Sequence, residues 1–205
     1  MREKRERIFA AAASLFAERG FEGVTTQQIS DRADIAAGTL FRYASSKGEL
    51  FLMVYNDELR RAIAAGVEAA DHAPGTARAV STLVEAILTG AGDTASAAIY
   101  QRELLFGPPE EPYRAEGLAL VADLERRIAE RLLAGLAPAA RSARGPAAER
   151  DAARAARTVF AVLNLLLVHP QTTVHPATDP VRELRAQVTL VVRGFLGADL
   201  DGGAP

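Results

Sequence analysis

Between Thr26 and Lys47 this 205-residue chain concentrates side chains that can pair with base edges and phosphate oxygens: Thr26, Gln27, Gln28, Thr39, Arg42, Tyr43 and Lys47. Amides and hydroxyls both donate and accept, a guanidinium forks onto two acceptors, and an ammonium supplies a compact charge. Catalytic arrangements are harder to find. The histidines His72, His169 and His175 form neither an HExxH motif nor a Glu-x-x-His pair, and there is no cysteine. No glycine-rich phosphate cradle, serine elbow or matched carboxylate pair stands out. We therefore expect no metal, no cofactor and no enzyme activity, with His169 and His175 as solvated loop residues.

The elements that must position these residues read as helices. Ile8, Ala12, Leu15 and Phe16 recur at helical spacing, and Gly20 follows where a left-handed C-cap belongs, so a first helix ends near Arg19. Thr25 with Gln28 three residues later makes a capping box that opens a second helix ending near Ala33. Asp34-Ile35-Ala36 is a short break, in which Asp tolerates a left-handed backbone, before a helix from Ala37 to Tyr43. Two helices joined this tightly are a helix-turn-helix candidate. Ile29, Ala33, Ile35 and Leu40 can pack them together, which turns Gln27, Gln28, Thr39, Arg42 and Tyr43 outward. Ala37 and Gly38 are small enough for the second helix to sit close to a groove floor.

Ser46 and Glu49 form another capping box, which opens a long helix reaching about Ala70. Lys47 in its first turn opposes the helix dipole, a conflict that a phosphate partner would resolve. Further helices are predicted at about 76–90, 94–106, 112–134, 147–168 and 180–196, with loops at Pro138–Pro146 and His169–Pro180. The fold class is all-α: an N-terminal three-helix helix-turn-helix domain, residues 1–46, joined by the long helix to a larger helical domain, residues 47–205.

Charge supports this division. The chain carries −2 overall, but residues 1–47 hold eight Lys/Arg against six Asp/Glu, so a nucleic-acid contact belongs at the N-terminal end. The charged N-terminus lacks a signal-peptide pattern, and Thr158–Val168 is shorter than the about 20 residues that span a bilayer. A cytoplasmic location without membrane contact is expected.

The order and spacing of Gly20-Phe21, Thr25-Thr26, Ile29, Ala33, Ile35, Gly38-Thr39-Leu40, Arg42-Tyr43, Ser46-Lys47 and Leu50 resemble the TetR family of transcriptional repressors. The resemblance covers about the first quarter of the chain. It implies a homodimer on double-stranded operator DNA, released by a small-molecule effector. It also implies that Gln27, Ala37, Gly38 and Thr39 approach bases while Thr26, Phe41, Tyr43 and Lys47 hold the backbone. Three positions depart from the family pattern: Asp34 where Gly is usual, Phe41 where Tyr is common, and Ala44 where Phe is usual. Phe41 cannot donate a phenolic hydrogen bond, so that contact is lost or replaced by Arg42 or Tyr43, and Ala44 would loosen the coupling to the long helix.

In the larger domain, the stripes containing Phe160, Leu163 and Leu167 on one helix and Val188, Val191 and Phe195 on the next suit a dimer interface or the subunit's own core. The resemblance implies the four-helix arrangement across a two-fold axis. Tyr55, Tyr100, Glu103, Phe106 and Asn164 are candidates to line a mainly apolar pocket for an apolar or aromatic ligand. The competing readings are a helical protein-protein adaptor, whose helices would look the same outside 25–47, and a small cofactor-free enzyme.

Overall fold

The structure is a computed structural model, and it describes residues 2–90, 94–168 and 179–197. Ten helices follow one another among the described residues, with no strand. They are α1 (Arg2–Arg19), α2 (Thr26–Arg32), α3 (Ala37–Leu40), α4 (Lys47–Asp71), α5 (Thr76–Gly90), α6 (Thr94–Phe106), α7 (Pro112–Ala134), α8 (Pro138–Arg144), α9 (Pro146–Val168) and α10 (Pro180–Leu196). The chain forms two compact units, Met1–Arg60 with Gly92–Leu120 and Arg61–Ala91 with Val121–Pro205.

The first unit is built on α1. Ile8, Ala11, Ala12, Leu15 and Phe16 are buried at helical spacing, and Gly20 (φ +66°) ends the helix by donating its N–H to the Phe16 carbonyl at 2.9 Å. Phe16, Phe21, Phe51 and Tyr55 then form a continuous aromatic cluster from α1 to α4, with ring centroids between 4.0 and 6.0 Å apart.

In the second unit α10 packs on α5 and α9. Val80, Leu83, Val84 and Ile87 of α5 and Leu184, Val188 and Val192 of α10 are all at or near full burial. On α9 the buried face is Ala148, Ala152, Ala156, Val159 and Leu163, whose three alanines let its first half lie close against a neighbour. Leu124, Ile128 and Leu132 bury one face of α7.

Two expected boundaries move. The segment from Pro138 to Pro146 is not a loop throughout: α8 occupies most of it. Pro138 sits at the first helical position, where its missing N–H is no loss, and Gly145 (φ +50°) ends the helix before Pro146 opens the next. The Pro and Gly that suggested a break are its caps. The short helix after the turn ends at Leu40 rather than Tyr43, because the next bonds, from Arg42 N–H to Thr39 and from Tyr43 N–H to Leu40, tighten to three-residue spacing. His169 and His175 lie outside the described residues. No described helix is long and apolar enough to cross a membrane.

Candidate nucleic-acid interface and its supports

The turn between α2 and α3 is held from both sides. Thr25 caps α2: its Oγ1 accepts the Gln28 N–H at 3.2 Å while Gln28 Oε1 accepts the Thr25 N–H at 2.9 Å. Asp34 has φ +51°, the left-handed conformation that favours glycine. Arg7 of α1 steadies it, donating to the carbonyls of Ala33 and Asp34 and pairing with the Asp34 carboxylate at 3.0 Å. Arg32 of α2 reaches back to Glu18 at 2.6 Å and Ser14 at 3.0 Å, and the bonds that Glu18 accepts from Arg32 and from the Ser14 hydroxyl lower its carboxyl below the usual carboxylate range. The composition hinted at neither Arg7 nor Arg32, because both reach partners more than ten residues away.

Ile29, Ala33 and Leu40 are buried between the two helices and Ile35 is half-buried. That leaves Gln27, Gly38, Phe41 and Arg42 exposed, with Thr26, Gln28, Ala37, Thr39 and Tyr43 half-buried beside them. Phe41 keeps half of its surface in solvent at 50%, an unusual exposure for a large apolar ring. At Gly38 an added Cβ would meet nothing within 4 Å, and the residue is not in the left-handed region. Glycine in a helix costs about 1 kcal/mol against alanine, so neither packing nor backbone explains it here. Open space in front of a bare backbone is what close approach to a partner requires.

Several of these side chains are partly committed, Gln27 among them, whose amide donates to the Asp31 carboxylate at 2.7 Å. Gln28 spends its carbonyl oxygen on the cap and keeps its amide N–H groups for other partners. Lys47 donates to the Phe21 carbonyl at 3.0 Å and lies 4.2 Å from the Phe21 ring centroid, which answers its conflict with the α4 dipole from inside the protein.

Within the same first unit lies a buried polar network. Asn56 is 1% exposed, accepts the Tyr100 hydroxyl at 2.7 Å and donates to the Tyr113 carbonyl at 2.8 Å. Arg5 of α1 donates to the Tyr113 hydroxyl at 3.2 Å, and this bond raises its already high pKa. Ser46 Oγ accepts the Glu49 N–H at 2.9 Å as the capping box requires, but the returning Glu49 carboxylate takes the N–H of Ser45, at 2.6 Å. Glu111, 2% exposed, accepts both serine hydroxyls on one oxygen, at 2.7 and 2.8 Å. Asn56 was legible as a polar residue inside the apolar stripe of the long helix. Glu111, in a Pro/Glu-rich loop, carried no signal.

The pocket candidates divide. Tyr55, Tyr100 and Glu103 all belong to the first unit: Tyr55 bonds Ser96 at 2.9 Å and stacks on Phe51, Tyr100 bonds Asn56, and Glu103 accepts two bonds from Arg102. Phe106 is 81% exposed. Asn164 belongs to the second unit and donates to the Phe160 carbonyl one turn earlier, at 3.1 Å. Of the interface candidates, Leu163, Val188 and Phe195 are buried in the subunit's own core, while Phe160, Leu167 and Val191 are half-buried. Leu165 and Leu190, at 43% and 68% exposed, are the large apolar side chains these two helices leave in solvent.

Burial pushes the Tyr100 phenol well above the ordinary tyrosine range, assisted by Glu116 and opposed by Arg60. The folded chain therefore keeps this proton at a pH where the unfolded chain loses it. Stability is whole below the unfolded pKa of about 10 and falls as pH rises past it. Replacing Tyr100 by Phe should flatten this alkaline loss in denaturant melts between neutral and strongly basic pH. An unchanged pH profile would show that the phenol is wet.

Together, a capped helix, a pinned left-handed turn and a second short helix with exposed polar and small residues define a helix-turn-helix nucleic-acid reader. Residues 8–54 match the family described as bacterial regulatory proteins, tetR family. The chain carries the N-terminal domain of that family, and its described helices follow the same fold. The repressor KstR of Mycobacterium tuberculosis is 40% identical over 60 residues, 29% of this chain and 27% of KstR. The chain thus matches little more than a quarter of that curated relative. Over nearly the whole length, the fold is shared with the regulator FadR of Bacillus subtilis in complex with stearoyl-CoA (TM-score 0.65, 18% identity, 93% and 98% of the two chains). It is shared likewise with Thermus thermophilus FadR in complex with lauroyl-CoA (TM-score 0.63, 22% identity, 98% and 97%).

Proposed function

We propose that this chain is a transcriptional repressor that binds a palindromic operator as a homodimer and leaves it when a small apolar or aromatic ligand binds. Residues 1–46 are the reader and residues 47–205 carry the ligand and dimer functions. The single observation that carries the proposal is the exposed face of α3 and its turn: Gly38 opens onto free space, Phe41 stands in solvent and Arg42 is exposed beside it. The tetR family is one of regulatory proteins, and this sets the enzyme reading aside.

Gln27, Ala37, Gly38 and Thr39 face bases in this reading. Thr26, Gln28, Phe41, Arg42, Tyr43 and Lys47 hold the backbone, with Arg42 taking the phosphate contact that Phe41 cannot make. For the dimer, the half-buried Phe160, Leu167 and Val191 join the exposed Leu165 and Leu190, whereas Leu163, Val188 and Phe195 support them from the core. Gly194 of α10, where an added Cβ meets nothing within 4 Å, suits close approach of a second copy. The ligand-bound FadR structures favour an acyl thioester as effector, its chain apolar as the pocket candidates require. Tyr55, Tyr100, Glu103 and Phe106 are the first-unit candidates for this role, whereas Asn164 of the second unit is held by the Phe160 carbonyl.

Selection of bound duplexes from random DNA tests the reading. The expected product is a symmetric site whose halves lie about 34 Å apart, one helical turn or a multiple of it. Titration with lauroyl-CoA or stearoyl-CoA should then release it. An asymmetric or empty selection, or a chain that sediments as a monomer at binding concentrations, overturns the repressor reading. Indifference to both thioesters overturns the effector class alone.

A further inference from the structure

The start of α4 and the start of α7 exchange carboxylates. Glu49, in the first turn of α4, places Oε1 at 3.5 Å from the Tyr113 N–H in the first turn of α7 and Oε2 at 2.6 Å from the Ser45 N–H. Glu111, immediately before α7, accepts the hydroxyls of Ser45 and Ser46 at the start of α4. Each carboxylate therefore lies at the positive end of the other helix as well as near its own, where an anion is favoured. Both residues are almost wholly buried, at 1% and 2% exposed, so water does not weaken the exchange.

Ser45 and Ser46 follow the reader directly: α3 ends at Leu40, its turn closes at Tyr43, and buried Ala44 bonds back to Leu40 at 3.2 Å. Whatever holds these serines holds α3. One oxygen of the clasp is left over. Glu111 Oε2 is buried without a hydrogen-bond partner among the described residues, a costly state for a carboxylate oxygen. The joint is thus tight on one side and incompletely satisfied on the other.

We propose that Glu111, in the loop between α6 and α7, is a positioning residue for DNA recognition that acts through Ser45 and Ser46 and touches no DNA itself. The proposal rests on the DNA-binding reading above. It predicts that the segment leading into α7 sets operator affinity although it lies far from α3 in the chain.

The test compares the wild-type chain with Glu111→Ala, Glu111→Gln and Arg42→Ala on the selected duplex, across a series of salt concentrations. Thermal melting and amide hydrogen exchange are followed on the same samples. Glu111→Ala should speed exchange at Ser45–Glu49 and Tyr113 and weaken operator binding about tenfold, the scale of one charge-assisted hydrogen bond. The salt slope should not change, because no phosphate contact is lost, whereas Arg42→Ala should flatten it. Glu111→Gln keeps an oxygen for both hydroxyls and should recover most of the affinity, a rescue that general destabilisation would not show. If Glu111→Ala does not fold, a loss of about twofold by Glu111→Gln at wild-type melting and salt slope supports the proposal, and no loss overturns it. Full affinity in folded Glu111→Ala overturns the proposal while DNA binding stands. A wild-type chain that retains no duplex overturns the DNA-binding reading, and this proposal with it.

Discussion

Replacing Thr39 and Arg42 together by alanine is expected to lower operator affinity about 100-fold or more and to take a retarded duplex band to background. One base-edge contact is worth about 1–3 kcal/mol and a phosphate contact adds a salt-dependent share, so losing both exceeds the about 1.4 kcal/mol of a single tenfold step. The fold has little stake in either side chain. Thr39 is half-buried and Arg42 exposed, whereas the packing between α2 and α3 rests on Ile29, Ala33 and Leu40. Melting should therefore stay within about 0.5 kcal/mol of the wild-type chain, as for surface substitutions in general. Mobility shift with a competitor duplex reads the first effect and denaturant melts the second. A double variant that still retards the operator would remove α3 from the interface.

The second large effect is on stability. Phe51→Ala should cost about 3–5 kcal/mol, the usual range for emptying a buried aromatic site. Phe51 is fully buried at the centre of the aromatic cluster: Phe16 and Phe21 approach it edge-on with centroids at 5.1 Å, and Tyr55 stacks on it at 4.0 Å. Those rings come from α1, the segment after it and α4, so one deletion loosens the joint between α1, against which α2 packs, and α4. Typical stabilities are only about 5–15 kcal/mol, and the loss should appear as a large drop in denaturant midpoint together with weaker duplex binding at raised temperature. Phe51→Leu, which refills most of the volume, should lose much less. Equal losses in the two variants would place the effect outside packing.

Both predictions depend on the same division of labour along the N-terminal sixty residues. Most core positions on α1, α2 and α4 are apolar, with Ser30, Glu49 and Asn56 as buried polar exceptions, and nearby side chains tie backbone groups together: Arg7 to the turn, Lys47 to Phe21, Ser46 to Glu49. The exposed residues of α3 and its turn are thereby free to be chosen for a partner. Gly38 shows this most directly, since nothing in the subunit would object to alanine there.

What the amino-acid sequence determined alone is whatever depends on interactions within about four residues. The Thr25–Gln28 box, the left-handed Gly20 and Asp34, and the start of α4 at Ser46 are all local, because a cap or turn is satisfied by groups one turn away. The pattern of apolar residues likewise placed all the long helices. Tertiary structure alone decided the matters in which two distant segments compete for one side chain. Leu163, Val188 and Phe195 go to the subunit's own core while Leu165 and Leu190 stay outside, and a periodic stripe cannot say which neighbour will cover it. Lys47 takes a carbonyl 26 residues away, and Glu111 takes two serines more than sixty residues earlier. Such bonds form only after the helices have been brought together by burial, so nothing in the local sequence announces them.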